Sequence, residues 1–154
     1  MTMQRLLAAA ALVGVVGATA LAQPSNPLVG TWKLNPAKSK APFKSGTTVV
    51  EAVGDGIKLI VDLVGTDGTK SHWEFTANYD GKDYPVTGNS PFGDSVALTR
   101  VDRNTTRTTN KMGGKVTGTH TIVVAADGKT RTTTFKGTNA KGESVESVSY
   151  YEKQ

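Results

Sequence analysis

The feature that most restricts this chain is a series of glycine-containing turns at short, regular spacing. Gly54-Asp55-Gly56, Thr66-Asp67-Gly68, Asp80-Gly81-Lys82, Gly113-Gly114-Lys115, Asp127-Gly128-Lys129 and Lys141-Gly142 punctuate it. Asp-Gly and Gly-Gly pairs supply the positive φ angles of tight hairpin tips. A calcium loop would need several oxygen ligands at alternating positions, and none of these turns has them. Between the turns lie runs rich in Val, Thr, Ile and aromatics, the composition of strands. No helical periodicity follows Leu34.

The pattern predicts about ten strands: Thr31 to Leu34, Thr47 to Val53, Ile57 to Val64, Lys70 to Tyr79, Asp83 to Thr87, Ser95 to Asp102, Thr105 to Met112, Lys115 to Ala125, Lys129 to Lys136 and Ser144 to Glu152. Strands joined by tight turns are antiparallel neighbours. A meander of this length has two exposed edges unless it closes on itself. The expected fold is therefore all-β: a single antiparallel up-and-down β-barrel.

Alternation marks the inner face. Ile57, Leu59, Val61 and Leu63 share one face, with Lys58 and Asp62 opposite. Trp73, Phe75, Ala77 and Tyr79 share another, with His72, Glu74 and Asn78 opposite. This is period two. Thr105 to Thr109 and Thr130 to Thr134 have almost no apolar face. Such strands fit a barrel with a partly hydrated interior, or the exposed flank of a sandwich.

The amino terminus reads as an export signal. Arg5 precedes the apolar run Leu6 to Val16, and Ala20-Leu21-Ala22 is a small-residue cleavage pattern. The expected organisation is a signal peptide over 1–22, a linker over 23–29 and a barrel domain over 30–154. No run reaches the ~18 apolar residues needed to span a bilayer, so no stable membrane anchor is expected. The chain has no cysteine, which excludes disulfides, thiolate metal sites and thiol nucleophiles. An exported chain without disulfides must stand on its core, and it fits a bacterial periplasmic or secreted protein. Without Arg5, 17 basic side chains face 13 acidic ones, a net charge of +4. The charges are interspersed, so nucleic acid is not an expected partner.

Gly30-Thr31-Trp32-Lys33-Leu34 resembles the opening strand of the calycin superfamily, the lipocalins and the fatty-acid-binding proteins. Tyr150-Tyr151-Glu152-Lys153-Gln154 is similar to the closing strand of the fatty-acid-binding group, and Lys111-Met112-Gly113-Gly114-Lys115 to one of its hairpins. The opening motif with Asn35-Pro36-Ala37-Lys38-Ser39-Lys40 also resembles uncharacterised bacterial secreted lipocalin-like proteins. The resemblance implies a barrel whose indole, Trp32, plugs one end and which holds a ligand inside. It also implies a helical lid and a pair of clamp arginines. The segment Asn35 to Gly46, with its two prolines, does not suit a lid. The clamp positions read Ser149 and, near the second, Thr121. The barrel expectation survives these departures; a fatty-acid carrier does not follow.

The expected ligand is a small apolar or amphipathic molecule, buried against Ile57, Leu59, Val61, Trp73, Phe75 and Tyr79 and oriented by Tyr151 and Arg107. Arg100 and Arg131 also sit on strands, and any of the three arginines pointing inward would suit an anion. The loops Asn35 to Gly46 and Gly88 to Asp94 would rim the opening, with Pro91-Phe92 as an apolar tip. His72 and His120, the only histidines, lie in no metal-spaced motif and read as outward-facing polar residues. No cofactor, metal site or catalytic constellation is legible, and the chain reads as a binder rather than an enzyme. The alternatives are a cavity-free interaction module, or an enzyme using the barrel interior.

Overall fold

A computed structural model describes residues 25–139 and 141–154; the expected signal segment lies outside them. The described chain forms eleven strands: β1 Gly30–Leu34, β2 Phe43–Val53, β3 Gly56–Gly65, β4 Lys70–Asn78, β5 Asp83–Pro85, β6 Thr87–Gly88, β7 Ser95–Arg100, β8 Thr105–Met112, β9 Lys115–Val124, β10 Thr130–Thr138 and β11 Ser144–Lys153. All belong to one sheet in the order β5-β7-β8-β9-β10-β11-β1-β2-β3-β4-β6. Every pairing is antiparallel. This is a nearly closed up-and-down barrel, compatible with a calycin-like one.

Two seams complete it. At the first, β1 pairs with β11, with Trp32 opposite Lys153 and Leu34 opposite Tyr151. At the second, β5 pairs with β7 while β6 pairs with β4. Only Val86 separates β5 from β6, and its N–H donates to the Asp94 carbonyl at 2.9 Å. The expected single strand Asp83 to Thr87 is thus a bent one that leaves β7 and crosses to β4. Pro85 has no N–H to give a ladder, which suits it to the bend.

β2 starts at Phe43, earlier than the expected Thr47, with a register shift between Phe43 and Ser45. The chain between β1 and β2 makes one 3-10 turn, Pro36–Lys38, where the Asn35 side chain accepts from the Lys38 N–H at 3.2 Å. It forms no helical lid. Gly113 and Gly114 join β8 to β9 with φ of 56° and 81°, the two-residue hairpin geometry that matches strand twist.

The barrel has a floor and a mouth. Both ends of the described chain lie at the floor, with the turns around residues 54, 80, 103 and 127. There Trp32 is fully buried, and its indole N–H donates to the Leu28 carbonyl at 2.8 Å. Leu28, Ile57, Ala77 and Leu98 are buried there too. Residues 25–29 are therefore fastened to the barrel. Replacing Trp32 by alanine should cost about 3–5 kcal/mol, read from urea unfolding. A loss below about 1 kcal/mol would contradict its role as the plug.

Candidate functional site

The barrel interior has two chemically different sides. β3 and β4 contribute Leu59, Val61, Leu63, Trp73 and Phe75. β8 to β11 contribute three registered rows. Nearest the mouth are Thr108, His120, Phe135 and Ser147. The middle row is Thr106, Ile122, Thr133 and Ser149. The deepest is Val124, Arg131 and Tyr151. Between the two sides lies a cavity of about 80 Å³. That is room for a few waters.

Leu59, Val61, Trp73, Phe75 and Tyr151, expected at the ligand site, line this cavity. Tyr79 and Arg107 do not. Tyr79 lies just beyond β4 at the floor, where its hydroxyl accepts from Asn26 Nδ2 at 3.0 Å and Arg100 lies over its ring. Ile57 is also a floor residue. Arg107 is exposed on the outer face, because the β8 residues that turn inward are Thr106, Thr108 and Asn110. Of the clamp positions, Ser149 lines the cavity, and Thr121 lies one residue out of phase with the inward His120 and Ile122.

The arginine inside is Arg131, 3% exposed. Its guanidinium lies 4.3 Å from the Tyr151 ring centroid and 5.2 Å from that of Trp32. Its Nε and Nη1 have no hydrogen-bond partner among the described residues, nor does the buried Thr133 Oγ1. Burial lowers its pKa to about 10, with the nearby Tyr151 opposing that shift. The guanidinium therefore keeps its charge at neutral pH. Burial raises the Tyr151 pKa, opposed by Arg131 and by the Thr48 and Ser149 hydroxyls. Among the described residues, no Asp or Glu lines the cavity.

His120 corrects a second expectation, for it points inward. β9 takes its phase from buried Ile122 and Val124, which carries Gly118 and His120 to the same face. Asn110 Nδ2 donates to His120 Nδ1 at 2.8 Å, which leaves the proton of a neutral ring on Nε2. Burial, aided by the Arg131 charge, lowers its pKa to about 4, so the ring is neutral at pH 7. Its ring centroid is 4.6 Å from that of Phe92 and 4.7 Å from that of Phe135.

Phe92 is turned into the mouth rather than presented to solvent. Its ring packs on Trp73, His120 and Phe135, and its carbonyl accepts from Thr117 Oγ1. Gly93 lets its loop press onto β8, since a Cβ there would collide with the Lys111 carbonyl. With Phe43, these aromatic rings cap the cavity. His72 stays outside, paired at 2.7 Å with Asp62 on the exposed face. No metal-holding cluster occurs among the described residues.

Comparison of the chain with protein-family models, with curated proteins and with solved structures finds no match. The assignment of this site therefore rests on its chemistry.

Two outcomes follow for the free protein. An unpaired buried charge destabilises, so Arg131→Met should raise stability by about 1–3 kcal/mol in urea unfolding. A loss of about 2 kcal/mol would mean that the guanidinium is well paired. His120 has a folded pKa of about 4, below the unfolded value of ~6.5. Between these values the unfolded chain binds more protons, so its contribution to stability is lost as pH falls from about 6.5 to about 4. Relative to His120→Gln, wild type should lose up to about 3 kcal/mol across that window, less as cavity water solvates the ring. Parallel pH profiles would refute this.

Proposed function

We propose that the protein is an exported carrier or sensor that holds a small, partly apolar molecule inside the barrel. The observation that carries this reading is the cavity inside the barrel, apolar on the β3–β4 side and polar on the β8–β11 side. Such a pairing binds through apolar burial, at roughly 25 cal/mol per Å², and orients its ligand with a few fixed polar groups. Export rests on the amino-terminal sequence pattern, which suits a periplasmic or secreted protein. Calycin kinship rests on the Gly-x-Trp opening and on the barrel topology.

The cavity weakens the reading as a filled interaction module. An enzyme would gain support from a carboxylate beside His120, but the ring pairs with Asn110, and the cavity lining holds no acid.

The test is a native mass spectrum of the protein purified from its exporting cell, repeated after denaturation. The reading predicts a releasable compound of low mass, or, for a protein isolated empty, saturable binding of small apolar probes. The absence of both a bound compound and any probe binding would overturn it.

A further inference from the structure

We infer that the cavity takes a compact organic monoanion, a carboxylate on a short aromatic or branched body, with its charge on Arg131 at the floor. This rests on the proposed small-molecule reading and names the ligand class for the same cavity.

The first support is the charge inventory. Among the described residues, one guanidinium and no carboxylate line the cavity. Nothing in the described chain neutralises that buried cation, and its Nε and Nη1 lack partners. Thr133 Oγ1, also unpartnered, stands one inward position along β10 from it. The Tyr151 and Trp32 rings lie 4.3 and 5.2 Å from the guanidinium carbon, and the unpartnered Nε and Nη1 are left for a planar acceptor. A cavity evolved for a neutral ligand would gain stability from an apolar side chain at residue 131. The charge is explained when the ligand supplies the counter-ion.

The second support is size. The cavity has room for a few waters only, so a ligand displacing them is compact. A long acyl chain does not fit while Phe92 occupies the mouth. From Arg131 to Phe135 is four residues along β10, ~13 Å, and ligand and side chains share that depth. The far end meets the edges and faces of Phe92, His120 and Phe135, a surface for an aromatic ring or a branched alkyl group.

The experiment is calorimetric titration of the purified protein with benzoate, its neutral analogue benzyl alcohol, and laurate. The inference predicts that benzoate binds about 10- to 100-fold tighter than benzyl alcohol, the range of a charge-assisted hydrogen bond, and that laurate binds no better than benzoate. Arg131→Met should lose the benzoate preference while keeping benzyl alcohol affinity, which also shows that the variant is folded. Arg131→Lys, which keeps the charge but not the fork, should fall between. Equal affinity of wild type for benzoate and benzyl alcohol would overturn the anion class and leave the cavity reading standing. Laurate binding much tighter than benzoate would overturn the compact class. Failure of all three probes would count against both inferences.

Discussion

Strands that pair only with their neighbours leave two sheet edges, and everything inside this barrel depends on how those edges are removed. One seam joins the first strand to the last, β1 against β11. The other is made by the chain itself, as the segment 83–88 pairs first with β7 and then with β4. Val86, between the two pairings, satisfies its own N–H at Asp94. With both seams made, the sheet has an interior that strands of alternating and of almost wholly polar sequence can share.

That interior is uneven. β3 and β4 fill their side with branched and aromatic groups, and Trp32 seals the floor. β8 to β11 turn threonine, serine, asparagine, histidine and arginine inward instead. Packing cannot consume these groups, so a cavity remains where the two sides meet. Its chemistry is ordered along the barrel: cation and phenol at the floor, hydroxyls in the middle, aromatic rings at the mouth. Burial keeps His120 neutral and leaves Arg131 as the only charge within the barrel among the described residues.

The sequence carried the barrel plainly, because turn glycines and period-two apolar runs are local signals. Leu59, Val61, Trp73 and Phe75 were legible as interior residues for the same reason. The polar strands were harder. Thr105 to Thr109 contain no apolar residue to set a phase, and Arg107 falls outward because β8 is registered on β9. Arg131 had a usable signal: Phe135 is the one aromatic on β10, and counting back by twos reaches Thr133 and Arg131. His120 likewise follows from Ile122 and Val124. Tyr79 continued the β4 alternation correctly, but the strand had already reached the floor. The inward turn of Phe92 depends on Gly93 lying against Lys111, a contact between distant parts of the chain.

The central claim is that a charged, unpaired guanidinium waits at the cavity floor. The most direct measurement is the side-chain Nε–H resonance of Arg131 in a ¹⁵N NMR spectrum of the ligand-free protein, followed as benzoate is added. The account predicts a signal protected from solvent exchange, without a scalar coupling to any protein carboxylate, that shifts as benzoate binds. A coupling to a protein carboxylate, or a resonance that does not move, would contradict it.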